Sequence, residues 1–526
     1  MTRQNLLSQL SQPKTWDLAI VGGGATGLGV ALDAAARGFS VVLIESHDFA
    51  KGTSSRATKL VHGGVRYLAQ GNISLVREAL HERTTLLRNA PHLAQPLAFV
   101  MPSYKFWEMP FYGVGLKVYD ALAGKAALGS TEFLTREETL ACLPTARGEG
   151  LKGGVKYWDG QFDDARLALA LARTAAAQGA LVVNYCAATR LLHEHGKVAG
   201  LCCQDSETGQ AFEIRAHCVV NATGVWVDRL RQQDGDAIGR PVEAMVAPSQ
   251  GVHIVVDREF LPGTHALMVP KTADGRVLFG VPWLGKLILG TTDTPRGDLD
   301  LEPRPFAQEL EFILDESARY LTRAPGRADI RSMWVGLRPL VKPQRESGQD
   351  TKALSREHTV LASASGLVTV TGGKWTTYRA MAEDVLELCF DKGLLKRAAA
   401  GVTTHLTLVG GDGSAAGRRP LSEPQGWHSY GSEQGDVRSM PGAHRLLGAG
   451  LSEAMVRFAA RREYARTVED VLARRWRTLF LDARLAGSMA VAVGAILAQE
   501  TGADPRISDF QALAQLYLSL PHPVGS

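Results

Sequence analysis

The first clear pattern along the chain is a continuous apolar run, Leu18-Ala19-Ile20-Val21, ending at Gly22-Gly23-Gly24. A run without polar alternation predicts a strand covered on both faces. Small residues then recur along one side of a helix predicted over 25–37 (Ala25, Gly29, Ala31, Ala34, Ala35). Gly38 stops that helix, and Val41-Val42-Leu43-Ile44 forms a second buried strand ending at Glu45. Strand, helix and strand in this order predict a βαβ unit opening a doubly wound parallel sheet.

Further helices are predicted over 75–90, 163–178, 306–322 and 376–391. Strands are predicted at Leu181-Val182-Val183, Val219-Val220-Asn221, Met333-Trp334-Val335 and Val368-Thr369-Val370-Thr371. The polar turn His193-Glu194-His195-Gly196 reads as a hairpin tip whose two histidines are solvated. Residues 246–294 are β-rich, with runs such as Val252-His253-Ile254-Val255-Val256, and Asp274-Gly275 is a hairpin signal. A loop-rich stretch over 410–445 introduces a helical, arginine-rich C-terminal region. The fold class is therefore α/β, a Rossmann-like dinucleotide domain interrupted by a β-rich α+β domain and followed by helices. The boundaries read as 1–95, 155–245 and 350–400 for the nucleotide domain. They read as 96–154 and 246–349 for the substrate or cap domain, and 401–526 for the helical domain.

Composition narrows the classes. The chain has 526 residues, 45% hydrophobic and 21% charged, enough to bury large cores and too apolar for disorder. A net charge of +4 is too weak to imply a nucleic-acid partner. Cys142, Cys186, Cys202, Cys203, Cys218 and Cys389 include no C-x-x-C pair, so reduced thiols are expected rather than a metal site or disulfides. The first fifteen residues lack the apolar centre of a signal peptide. The longest uncharged apolar stretch, Leu485 to Ala498, has fourteen residues, short of the ~18 that span a bilayer.

Gly22-Gly23-Gly24-Ala25-Thr26-Gly27 fits G-x-G-x-x-G between a strand and a helix. Gly22 permits the turn, Gly24 the approach of a pyrophosphate, and Gly27 the contact of helix with strand. The helix N-terminus offers N–H donors and positive potential to the phosphates. Glu45, 21 residues after Gly24, is placed to accept from a ribose and to repel a 2′-phosphate, which argues against NADP. Ala222-Thr223-Gly224 after a strand, and Gly372-Gly373-Lys374 before a helix, point to FAD.

On these stretches the sequence resembles the FAD-dependent glycerol-3-phosphate dehydrogenases of the D-amino-acid-oxidase-like flavoproteins. The resemblance is carried further by Gly52-Thr53-Ser54-Ser55, Lys59-Leu60-Val61-His62-Gly63-Gly64-Val65-Arg66-Tyr67, Asp163-Asp164-Ala165-Arg166, Gly290-Thr291-Thr292-Asp293, Gly336-Leu337-Arg338-Pro339 and Gly372 to Arg379. The run Glu463-Tyr464-Ala465-Arg466-Thr467-Val468-Glu469-Asp470-Val471-Leu472 resembles that family's C-terminal helical part. The resemblance implies FAD contacts from Gly22, Gly24, Ala25, Thr26, Gly27, Glu45, Thr53, Ser54, Ser55, Lys59, His62, Gly63, Gly224, Gly373, Lys374 and Thr376. It implies a substrate pocket holding Arg66, Tyr67, Arg338 and Thr292.

The residue types suit the oxidation of a phosphorylated secondary alcohol. Arginine binds phosphate through two parallel N–H bonds, and Arg66 and Arg338 each stand among apolar or glycine neighbours that call for an anionic partner. His62 titrates near working pH and suits proton handling. Lys374, before a helix start near Thr376, places positive potential at the edge of a flavin. Arg338, His62 and Lys374 are thus the catalytic candidates.

The resemblance implies glycerol 3-phosphate as substrate and membrane quinone as acceptor. The aromatic stretch Tyr104 to Tyr119, with Lys105 and Lys117, suits a peripheral anchor on the cytoplasmic face of the inner membrane, a core contact or a homodimer contact. Arg461, Arg462, Arg474, Arg475 and Arg477 read either as support for a basic face or as a solvated helix surface. Oxygen as acceptor, an amine or amino-acid oxidase, and a non-catalytic flavin sensor are the rival readings.

Overall fold

The computed structural model describes residues 2–64, 68, 72–272, 275–342, 358–413 and 418–522. The nucleotide-type sheet is parallel at its centre. Its strands run in the order Val368–Gly372, Ala211–Asn221, Thr15–Val21, Val41–Ile44, Leu181–Val183. The strand His358–Ala362 adds an antiparallel edge, and the hairpin Cys186–Glu194 with Lys197–Asp205 extends the long strand Ala211–Asn221.

Alternation along the first strand sorts its side chains between two layers. Leu18 and Ile20 face the helices Ala25–Ala36, Asp164–Ala177 and Tyr378–Asp391, whose small and branched residues close one core. Ala19 and Val21 face the other layer, which includes Leu6, Leu7 and Leu10 of an N-terminal helix, Arg3–Leu10. The sequence reading gave these first residues no element. Arg3 fastens that helix through the Asn184 carbonyl, at 2.6 Å, and the Asp205 carboxylate.

Eight of the ten described strands of the second sheet run in the order Thr294–Pro295, Val246–Asp257, Lys286–Gly290, Leu278–Trp283, Ala266–Val269, Ala94–Ser103, Gly153–Phe162, Leu60–Val61, and Glu132–Leu134 pairs with Gly153–Phe162 off this path. Ser332–Val341 pairs with Val246–Asp257 over its whole length, Val246 opposite Val341 through Val255 opposite Ser332. The expected domain boundaries shift here. Gly153–Phe162 and Leu60–Val61 belong to this sheet, because Ala94 to Ser103 pairs with Phe162 to Gly153 in continuous register. The expected hairpin exists as Ala266–Val269 against Leu278–Trp283, with Gly275 at φ +82°; Asp274 lies outside the described residues. Helices from 453 to 518 close a further core with Trp283, Trp334 and Trp476.

Two surface expectations change. His193 donates from Nε2 to Asp234 Oδ1 at 2.9 Å, so it is tied down rather than solvated. Arg474, Arg475 and Arg477 are buried, not a basic face. Asp48 accepts from both Arg474 and Arg475, and Asp164 pairs with Arg477 at 3.2 Å. All six cysteines are free thiols, with Cys218 and Cys389 sulfurs 3.6 Å apart in the first core.

Candidate active site

A cavity of about 560 Å³ opens where the edges of the two sheets meet. Its floor is Gly372-Gly373-Lys374 and the short 3₁₀ turn Trp375–Thr377 that leads into the helix Tyr378–Asp391. Gly372 and Gly373 have φ of +81° and +71°, the left-handed region that favours glycine. A Cβ at Gly373 would also lie 2.6 Å from the Met381 sulfur. Thr376 Oγ1 accepts from the His62 N–H at 3.2 Å, so the His62 segment is seated on this helix start.

The opposite wall comes from the second sheet. Arg338 stands on Ser332–Val341, across from Ser249. Its guanidinium donates to Asp293 Oδ1 at 3.2 Å, Thr291 Oγ1 at 3.1 Å and the Thr292 carbonyl at 2.9 Å. Ser249 donates to the same Asp293 oxygen. Half-buried and held by these acceptors, Arg338 lines the cavity. His62, Thr53, Lys374, Thr376, Gly373 and Arg338 all line this space.

His253 lines it too, and the sequence reading passed over it as part of an apolar run. One ring nitrogen meets Thr58 Oγ1 at 2.9 Å, the ring stacks on Trp334 at 5.2 Å, and Nδ1 has no hydrogen-bond partner. Burial, with the Lys59 and Arg338 charges nearby, pushes the imidazole well below its ordinary pKa. It is neutral at pH 7 and resists protonation. The sequence signal was a single histidine on an otherwise apolar inward face.

The phosphate turn follows the carboxyl end of the nucleotide sheet's first strand, at the same end of the parallel sheet as Gly372. Gly22 has φ +113°, and a Cβ at Gly27 would fall 2.0 Å from the Gly22 carbonyl oxygen, so both need glycine. Gly24 is the helix N-cap without a side-chain cap, and Ser54 Oγ accepts the Ala25 N–H at 2.9 Å. Thr26 and Gly27 follow in the first helical turn, their N–H groups aimed outward along the axis. These residues fit a dinucleotide pyrophosphate. Glu45 accepts from the Gly23 and His47 N–H groups at 2.7 and 2.8 Å.

Residues 17–379 match the family described as FAD dependent oxidoreductase, and residues 401–506 match the C-terminal domain of alpha-glycerophosphate oxidase. The probable mitochondrial glycerol-3-phosphate dehydrogenase of Caenorhabditis elegans is 40% identical over 531 residues, covering 95% of this chain and 73% of its own. The mitochondrial glycerol-3-phosphate dehydrogenase of Homo sapiens is 41% identical over 520 residues, covering 92% and 70%. The chain belongs to the FAD-dependent glycerol-3-phosphate dehydrogenases. The crystal structure of the Bacillus halodurans glycerol-3-phosphate dehydrogenase, complexed with FAD, superposes at a TM-score of 0.77 and 29% identity, covering 99% of both chains. The cofactor of this dehydrogenase is FAD.

Not every residue expected at the cofactor faces the cavity. Lys59 is fully buried behind it, with Nζ 2.8 Å from the Ser55 carbonyl and 2.7 Å from Asp164 Oδ2. The Trp283, Trp334 and Phe480 rings surround that ammonium at 5.1 to 5.3 Å. Burial outweighs Asp164 and pulls it down to about 7. Ser55 is buried and offers its carbonyl to Lys59 and Arg477. Both brace the loop rather than line the cavity. Thr292 turns its hydroxyl inward, to Glu309 at 2.8 Å, and meets the site through its carbonyl. Gly63 is closed off by Tyr119, whose hydroxyl accepts the Gly63 N–H at 2.8 Å. Gly224, at φ +63°, ends the strand beside the phosphate turn. Arg66 and Tyr67 lie outside the described residues.

Proposed function

We propose that this dehydrogenase oxidises sn-glycerol 3-phosphate to dihydroxyacetone phosphate and delivers the electrons to a quinone at a membrane surface. Bound FAD supplies the hydride acceptor. The chain's own task is to hold the alcohol with its C2–H facing that acceptor and to take the hydroxyl proton as the C2–O bond becomes a carbonyl. Arg338 holds the phosphate, because a guanidinium on the cavity wall matches phosphate oxygens through paired N–H groups. Lys374 and the turn Trp375–Thr377 bring positive potential to the floor, where charge develops on reduction. His62, on the cavity wall beside the floor, accepts the hydroxyl proton, while burial and the Lys59 and Arg338 charges keep His253 a neutral ring in the pocket wall.

The observation that carries this reading is the convergence of Arg338, Lys374, His62 and His253 on one cavity floored by Gly372 and Gly373. Arg338→Lys tests it. Losing the two-pronged contact should lower kcat/KM for glycerol 3-phosphate by about 30-fold or more and leave the slow oxidation of glycerol nearly unchanged. Equal losses on both substrates would make Arg338 structural and reopen the substrate.

The membrane reading is supported by the surface. Phe106, Trp107 and Phe111 are 80%, 54% and 66% exposed, with Val114 and Val118 on the same helix, Glu108–Ala123. Lys105, Lys152 and Lys117 lie over the rings of Trp107, Phe106 and Phe133 at 4.7 to 5.9 Å. Apolar side chains rimmed by lysines suit the headgroup region of an anionic bilayer on the cytoplasmic side. Among the described residues no helix is long and apolar enough to cross a membrane. An oxygen-linked enzyme would instead release peroxide in step with turnover, and a homodimer through this patch would sediment as one.

A further inference from the structure

Glu309 is buried at the start of the helix Ala307–Tyr320. Its carboxylate accepts from the Phe306 N–H at 2.9 Å, which is an ordinary helix-end bond. Two further bonds have nothing to do with the helix. Thr292 donates its hydroxyl to Oε1 at 2.8 Å, and Gln250 donates its amide to Oε2. Thr292 Oγ1 in turn accepts the Val252 N–H at 3.0 Å. Gln250 passes the chain outward, accepting from Arg296 through its amide oxygen.

These bonds end on the residues that orient Arg338. The Thr292 carbonyl and the Thr291 hydroxyl both accept from its Nη2. A peptide whose side chain is pinned from below holds its carbonyl direction above. The immediate donors to Glu309 are neutral groups, and each arginine stands one hydrogen bond farther out. Burying a carboxylate in such company is costly, and a helix end does not require it.

We propose that Glu309 is a positioning residue for substrate binding: through Thr292 it sets the plane in which the Arg338 guanidinium meets the anionic group of the substrate. The inference rests on the reading of Arg338 as the phosphate clamp. It predicts that Glu309 acts only by way of Arg338, which a residue serving the helix alone would not do.

The test is a double-mutant cycle on the FAD-loaded enzyme with Glu309→Gln and Arg338→Met, read in KM for glycerol 3-phosphate and in the melting-temperature rise caused by inorganic phosphate. Glu309→Gln keeps the volume but sets an amide N–H against the donors. It should raise KM about ten-fold, change kcat less, and shrink the phosphate-induced rise, with the FAD spectrum intact. Added to Arg338→Met, it should cause no further loss. Thr292→Val, which cuts the Glu309–Thr292 link together with the Val252 N–H bond, should act in the same direction and stands in if Glu309→Gln does not fold. Losses that multiply in the double variant, or wild-type KM in both Glu309→Gln and Thr292→Val, overturn the inference. If Arg338→Met alone responds to phosphate as the wild type does, the clamp reading itself fails, and Glu309 falls with it.

Discussion

Arg477, in the C-terminal helical region, donates from its guanidinium to the backbone carbonyl of Ser55 at 2.7 Å, inside the loop that carries Thr53 and Ser54. The same loop is held at Asp48 by Arg474 and Arg475. Burial pushes the Asp48 carboxyl up, yet Arg475 and Arg474 outweigh it and keep it below the usual carboxylate range. The second domain thus grips the loop that touches the phosphate turn of the first.

Asp48→Asn takes from the buried Arg475 the carboxylate it pairs with, while Arg474 keeps Glu469 and Asp470; removing one member of a buried pair costs ~3–5 kcal/mol. The variant should melt earlier and release FAD faster. Flavin fluorescence during thermal unfolding measures both, and an unchanged release rate would separate the C-terminal region from cofactor retention.

Gly24→Val should abolish FAD binding while the apoprotein stays folded. A side chain there points at the Ser54 hydroxyl, with its Cβ 3.1 Å away, and into the path of a pyrophosphate. Absorbance at the flavin bands per mole of purified protein is the measurement; full occupancy contradicts the assignment of this turn.

Replacing Phe106, Trp107 and Phe111 with serine should release the protein from anionic vesicles without lowering its melting temperature. Their side chains lie mainly in solvent, so folding loses little apolar burial. Co-sedimentation with vesicles reads the first effect and activity with a soluble dye reads the second. A fall in stability would mean that the patch packs against protein.

Burial, with Arg166, Arg418 and Arg173 nearby, pulls the His92 imidazole down to about 3. An unfolded histidine titrates near ~6.5. Between those values the unfolded chain holds a proton that the native state does not, so stability falls as pH drops from ~6.5 toward ~3, by at most ~1.4 kcal/mol per unit. His92→Gln should flatten the decline in melting temperature between pH 6.5 and 4.5; a slope identical to wild type removes His92 from the acid limb.

The parts of this fold legible in sequence were those set by local chemistry. Gly22 to Gly27 declared a turn because each glycine answers a steric demand within a few residues. Arg474, Arg475 and Arg477 were misread because their partners, Asp48 and Asp164, lie some 300 or more residues away, and an arginine's neighbours in sequence do not reveal its counter-charge. His253 was hidden by the β-branched residues around it: the pattern gave the strand and its inward face, but not that this face meets a cavity. The aromatic stretch had the opposite problem, since composition alone suits a core, a dimer contact or a lipid surface.

The sheet order has a consequence for synthesis. The strand Thr15–Val21, which ends in the phosphate turn, pairs with Ala211–Asn221, and that strand pairs with Val368–Gly372. A ribosome therefore exposes the turn long before it has made the segment that supplies the flavin floor, Gly372 to Thr376. The nascent chain carries half a binding site through most of translation, with apolar strand edges open to mispairing. Cofactor capture belongs to the end of synthesis, and truncated products lacking the last third of the chain should be both colourless and prone to aggregate.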